Sequence, residues 1–172
     1  AGANKIINPP SSVTALNTTN PVVEIYQNDW AFAALMLDKT VVTWGYKDYG
    51  ADSSGVTLTN VKKIYTNGAA LAALRTDGTV AAWGNIYYGG NNNDVTTLTG
   101  VDKIYSTDFA FAALKIDKTV FVWGDTNNGG NNNDVTTLTN VEKIYSTNSA
   151  FAALTSTGGV TGGVFAWGDQ IN

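Results

Sequence analysis

The side chains best suited to chemistry in this chain are loop tyrosines. Tyr46, Tyr49, Tyr87 and Tyr88 follow Trp-Gly pairs in two polar loops, YKDYGADSSG and NIYYGGNNND, where asparagine carboxamides lie close by. An aromatic face can stack on a sugar or an apolar side chain while a nearby amide hydrogen-bonds it, so these four are the candidate residues for binding a glycan or a protein. A second candidate is the loop 125–134, DTNNGGNNND, in which Asp125, Asn127 and Asn131 offer oxygens at alternate positions around glycine, as a calcium loop does. The glutamate that closes a twelve-residue calcium loop is absent, and turn formation accounts for the same residues. The sequence calls for no cofactor, calcium at this loop being the one it admits.

Catalysis finds little to work with. The chain has no histidine and no cysteine, which removes the commonest general base, the thiolate nucleophile, disulfides and most transition-metal sites. Asp38, Asp77 and Asp117 recur once per repeat at a turn position, which puts them on separate sheets instead of in an acid pair. No catalytic residue is expected, and the protein reads as a non-enzyme.

The formal charge of −4 arises from 14 acidic and 10 basic residues with no Lys or Arg cluster along the chain. Nucleic-acid binding needs such a cluster and is not expected. No apolar run approaches the roughly 20 residues that cross a bilayer, and no basic-then-apolar leader precedes Ala1, so a soluble or already processed chain is expected. A composition 44% hydrophobic and only 14% charged implies a globular core beneath a surface of Asn, Thr and Ser. That polar, lysine-poor surface points to an extracellular or cell-surface protein.

These loops are positioned by a repeat. The stretch Val101 to Gly124, VDKIYSTDFAFAALKIDKTVFVWG, occurs four times, ending at Trp44, Trp83, Trp123 and Trp167 with spacings of 39, 40 and 44 residues. A period near forty marks a repeat architecture. The chain reads as one repeat domain, 1–172, with a lead-in segment 1–12 and repeats 13–45, 46–84, 85–124 and 125–168. In the fourth copy a GGV duplication within 155–164 lengthens one hairpin.

Each copy is expected to hold four short strands. The first is the β-branched run at 13–16, 56–59, 95–98 and 135–138. The second is Val-x-x-Ile-Tyr, beginning at Val22, Val61, Val101 and Val141, with Val and Tyr on one face and Ile on the other. The third is the alanine run beginning at Ala31, Ala70, Ala110 and Ala150. A three-turn helix competes there, but small side chains suit sheets converging on one axis. The fourth follows an Asp-Gly or Asp-Lys turn and ends in Trp-Gly, with Trp44, Trp83, Trp123 and Trp167 structural.

The chain opens out of phase, so the strand 13–16 is expected to complete the last sheet. The fold class is therefore all-β, a β-propeller-like array with the N-terminal strand closing the last blade. A closed four-bladed ring is expected first, then two chains sharing eight blades, then a piece of a longer array. Asn17-Thr18-Thr19 is an acceptor triplet for N-glycosylation if a eukaryote secretes the chain.

The order Val-x-x-Ile, Ala-Leu-x-x-Asp-Gly-x-Val-x-x-Trp-Gly and a glycine-rich loop resembles the regulator of chromosome condensation repeat. The nine-residue interval from Leu35 to Trp44, Leu74 to Trp83 and Leu114 to Trp123 carries the likeness from Val13 onward. The resemblance implies a propeller and, in some members, nucleotide exchange or chromatin binding. The family's histidine before Ala-Leu is missing in every copy, and its Gly-Gln-Leu-Gly loop is reduced to Gly-Gly-Asn-Asn. Copies of this short-period kind resemble those of large secreted bacterial repeat proteins. The expected function is a non-catalytic extracellular or surface scaffold for protein or glycan. The alternatives are a subunit that self-assembles by strand exchange into rings or filaments and, further off, a chromatin or GTPase-regulator-like propeller.

Overall fold

A computed structural model describes residues 8–14 and 18–169. Each repeat forms one antiparallel three-stranded sheet with its strands in chain order. The first sheet holds β1 (Val22–Gln27), β2 (Ala31–Met36) and β3 (Val41–Gly45), and the second holds β4 (Val61–Thr66), β5 (Ala70–Arg75) and β6 (Val80–Gly84). The third holds β7 (Val101–Ser106), β8 (Ala110–Lys115) and β9 (Val120–Gly124), and the fourth β10 (Val141–Ser146), β11 (Ala150–Thr157) and β12 (Val160–Gly168). The architecture is all-β, a propeller-type array of four blades.

The alanine runs are strands, and their burial explains the choice of residue. In β2, β5 and β8 the alanines are wholly buried; a neighbouring blade covers both faces of the sheets that hold β5 and β8, and one face of the sheet that holds β2. The trailing face of the third blade, Ala110, Ala112, Leu114, Val120 and Val122, packs on the leading face of the fourth, Val141, Ile144, Phe151, Ala153 and Trp167. The second and third blades repeat this packing, as do the first and second. Methyl side chains let the sheets approach while the bulky Phe-Trp pair fills the space between them. Phe111 stacks on Trp123 at 5.2 Å and Phe151 on Trp167 at 5.3 Å.

Each of these indoles also clasps the preceding blade's outgoing loop. Trp83 Nε1 donates to the Gly50 carbonyl at 2.9 Å, Trp123 Nε1 to Gly89 at 3.1 Å and Trp167 Nε1 to Gly129 at 3.2 Å. The accepting residue must be small and left-handed: Gly129 has φ +100°, and a Cβ there would lie 2.6 Å from Phe151 Cδ2. Trp44 stacks on Phe32 at 5.3 Å but is only half-buried, since no blade covers that face.

Three expectations are corrected. Each sheet has three strands, not four, because 56–59, 95–98 and 135–138 are connectors. Two of these follow from 3₁₀ turns, Asn92–Val95 and Asn132–Val135. The Asn92 and Asn132 side chains accept the outer-strand amides of Ala82 and Val122, occupying positions on the edge that a fourth strand needs. Val95, Leu98, Val135 and Leu138 plug the core between blades instead.

The closing strand at 13–16 fails similarly. Val13 and Thr14 belong to a helical turn, Ser11–Thr14, and 15–16 lie outside the described residues. The first and last sheets do not close on each other, so the array is an open arc and not a four-bladed ring. Finally, a bulge between the first and third residues of each inner strand puts Val61 and Ile64 in one core cluster, as it does Val101 and Ile104. Tyr65 turns to the other side, because the extra residue reverses the alternation.

Asp38, Asp77 and Asp117 serve the hairpin turns. Each carboxylate accepts the N–H and hydroxyl of the threonine two residues on, beside a left-handed Lys39, Gly78 or Lys118. The Thr119 hydroxyl and amide, helped by Lys115, lower the Asp117 pKa from the ordinary 3.8 to about 2. Since the folded value lies below the unfolded one, these bonds stabilise the fold above about pH 4, and the contribution fades as pH falls toward 2. Carboxyl NMR titration is expected to find the Asp117 midpoint near 2, and Thr119→Val is expected to move it up. Trp123→Phe keeps the stacking and loses the bond to Gly89, so urea denaturation is expected to show a loss of about 1–2 kcal/mol. No change would show that the clasp contributes nothing.

Candidate functional site

The turns joining the inner and middle strands of each blade converge on one rim of the array. Asn28-Asp29-Trp30, Asn67-Gly68-Ala69, Thr107-Asp108-Phe109 and Thr147-Asn148 surround a depression of about 860 Å³. One side chain organises each turn. Asn28 Oδ1 accepts the Trp30 and Ala31 amides at 2.9 and 2.7 Å, and Asn67 Oδ1 accepts those of Ala69 and Ala70 at 3.1 and 2.8 Å. Thr107 and Thr147 use their hydroxyls in the same way.

The same side chains also tie in the loop that leaves the blade. Asn28 Nδ2 donates to the Tyr49 carbonyl at 2.8 Å, Asn67 Nδ2 to Tyr88 at 2.7 Å, and Thr107 Oγ1 to Asn128 at 3.2 Å. Neighbouring tips are linked in turn: Gly68 N donates to the Asp108 carbonyl at 3.0 Å and Asp108 N to the Asn148 carbonyl at 2.8 Å. The rim is therefore a hydrogen-bonded frame around a shared depression.

Of the four candidate tyrosines, the fold brings Tyr49 and Tyr88 into the depression. Tyr49 stacks on Trp30 at 5.2 Å, and Tyr46 packs behind them, 6.0 Å from Trp30 and 5.6 Å from Tyr49. Tyr88 meets Phe109 at 5.3 Å on the neighbouring tip. Tyr87 points away, largely exposed on the outer rim beside Asp48 and Ile86. Between the aromatic clusters lie carboxamides, hydroxyls and the Asp29 and Asp108 carboxylates. Trp30 and Phe109 were missed from sequence. The available signal was variation: DW, GA, DF and NS occupy the same two positions of otherwise matching repeats.

The candidate calcium ligands are engaged as turn caps. Asp125 Oδ1 accepts the amides of Asn127 and Asn128 and the Asn128 side chain, at 2.9, 3.1 and 2.9 Å. Asn131 caps Asn133 and donates to Asp134 in the next turn. Among the described residues, no group of three or more acidic side chains is gathered where a metal could sit. The inner strands do gather charge that the linear sequence dispersed. Lys62, Lys63 and Lys103 share a groove with Asp102, Tyr65 and Tyr105, and Lys63 lies over the Tyr65 ring. Among the described residues no helix is long and apolar enough to cross a membrane.

Solved structures share this arrangement. The ectodomain of the receptor kinase CR4 from Physcomitrella patens superposes with a TM-score of 0.61 at 20% identity, over 86% of this chain and 41% of that one. The CRINKLY WD40 ectodomain of the receptor kinase ACR4 from Arabidopsis thaliana gives 0.59 at 18% identity, over 88% and 54%. Prp20p from Saccharomyces cerevisiae, the yeast RCC1, gives 0.61 at 19% identity, over 93% and 46%. The blades are propeller blades. This chain spans only about half the length of those propellers, and at such identities the likeness concerns fold alone. No protein-family model and no curated protein matches the sequence.

Asn67 is buried, and its three side-chain hydrogen bonds go to the tip and the Tyr88 loop. Asn67→Ala is expected to cost about 2 kcal/mol in urea denaturation and to broaden the Tyr88 ring resonances. Asn67→Thr should recover part of the loss, since threonine does this work at 107 and 147.

Proposed function

We propose that this protein is a non-catalytic binding scaffold of the extracellular or cell-surface kind, and that the tip depression takes a glycan. The observation that carries this reading is the pairing of exposed aromatic faces with fixed hydrogen-bonding groups in one concave site. Trp30 is half exposed, Tyr49 braces it, Tyr88 and Phe109 form a second platform, and Gln27, Asn148, Asp29 and Asp108 line the same depression with carboxamides and carboxylates that the turn caps do not use. Sugar C–H faces stack on such rings while their hydroxyls pair with carboxamides and carboxylates. The carboxylates disfavour an acidic ligand, so the class proposed is a neutral glycan.

The propeller frame supports this without naming a ligand. The CR4 and ACR4 structures are ectodomains of receptor kinases, and Prp20p binds Gsp1p and histones. Those are properties of those proteins. What suits the present chain is the common device of variable loops on a stiff array. The absence of histidine and cysteine and the use of the recurrent aspartates as turn caps support a non-catalytic role.

A glycan array followed by calorimetry tests the reading. Binding of a neutral oligosaccharide is expected, with Trp30→Ala and Tyr88→Ala each weakening it about tenfold or more, equivalent to ~1.4 kcal/mol. Tyr87→Ala should leave it unchanged, because that ring lies outside the depression. An array without hits, or binding indifferent to Trp30→Ala, would remove the glycan and leave a protein as the ligand class to pursue.

A further inference from the structure

The arc exposes at its two ends the two halves of an interface that it builds three times internally. On the leading face of the first blade Ile25 is 51% exposed, whereas its counterparts Ile64, Ile104 and Ile144 are at most 3% exposed. Phe32 on the same face is 41% exposed, against no more than 1% for Leu71, Phe111 and Phe151. On the trailing face of the fourth blade Val164 is 74% exposed, against 3% and 8% for Val80 and Val120. Ala150, Ala152, Leu154 and Ala166 around it also lose the burial of their equivalents. Apolar sheet faces of this kind are rarely left to water.

The two faces are complementary in shape as well as in polarity. Inside the chain, Phe111 and Trp123 sit against Ala70, Ala72 and Ala82, and Phe151 and Trp167 against Ala110 and Ala112. At the ends, Phe32 and Trp44 form the same aromatic ridge, while Ala150, Ala152 and Ala166 form the same shallow bed. The inner strands show a matching contact. Tyr26, Tyr65 and Tyr105 pack against the core clusters that hold Ile64, Ile104 and Ile144 of the next blade, and Tyr145 and Ile25 are the half-exposed halves of that contact at the two ends.

We infer that the leading face of the first blade receives the trailing face of the fourth blade from a second copy of this chain. Two copies then close head to tail into a ring of eight blades. Such an interface is heterologous, so a pair uses it twice and leaves no end open. The size agrees: one copy spans 41%, 54% and 46% of three propeller chains, so two arcs together have about the length of one of those propellers. No strand is exchanged, in keeping with the helical turn at Ser11–Thr14. The inference concerns the end faces alone and stands or falls apart from the glycan reading.

Sedimentation equilibrium over a dilution series tests it. A species of twice 18.1 kDa is expected at micromolar protein and above. Ile25→Asp and Val164→Asp should each run as monomers at neutral pH with unchanged circular dichroism, because both side chains are exposed in the free arc. Mixed in equal amounts, the two variants should pair again, more weakly than the wild type, through the one contact made by the intact trailing face of the first and the intact leading face of the second, the other contact carrying both aspartates. A wild-type mass fixed at 18.1 kDa up to millimolar concentration overturns the inference whatever the variants do. So does a mass that keeps climbing beyond the pair, an Ile25→Asp chain that still dimerises, or a mixture that stays monomeric.

Discussion

Packing between neighbouring sheets is the constraint on which this protein rests. Three short strands cannot bury a core alone, and each blade here packs on its neighbours, the two inner blades supplying one face to the blade before and the other to the blade after. That arrangement dictates alanine in the central strand, where any larger side chain would push two sheets apart. It also dictates the bulge in the inner strand, which turns Ile64, Ile104 and Ile144 into the interface beside the leading valine. The Trp–Gly clasp then fixes how far one blade sits from the next.

The site depends on the same frame. Tip residues are free to differ because Asn28, Asn67, Thr107 and Thr147 hold the turns from beneath, and the amide-to-carbonyl links among Gly68, Asp108 and Asn148 hold them to one another. A scaffold whose stability lies between the sheets can vary DW, GA, DF and NS at its rim at little cost. Placing aromatic rings on such a rim preorganises them, so little entropy is lost when a ligand arrives.

Much of the site was legible in the chain and part was not. Tyr49 and Tyr88 were identifiable because each closes a loop that the repeat returns to the same place. Tyr87 is adjacent to Tyr88 yet faces outward, since the 3₁₀ turn at Ile86–Tyr88 rotates adjacent residues apart, whereas Tyr46, three residues before Tyr49, falls on the same side of its 3₁₀ turn and backs the cluster. Asp125 and Asn131 carried oxygens at ligand-like spacing, but each cap spends those oxygens on its own backbone. Trp30 and Phe109 come from a different part of the repeat, and only the fold sets them against the tyrosines.

The period near forty, the hairpin signals and the invariant Trp-Gly ends determined a four-blade all-β array from the sequence alone, because they report interactions within one repeat that recur unchanged. Tertiary structure decided what depends on the space between repeats. It made the Val-x-x-Leu runs core plugs instead of a fourth strand, reversed the alternation of the inner strand, and left the arc open with a bare apolar sheet at either end. The physical reason is that local propensity reads one residue's neighbours along the chain. Edge occupancy by Asn92 and Asn132, and the covering of one face by another, are settled between segments about ten to forty residues apart.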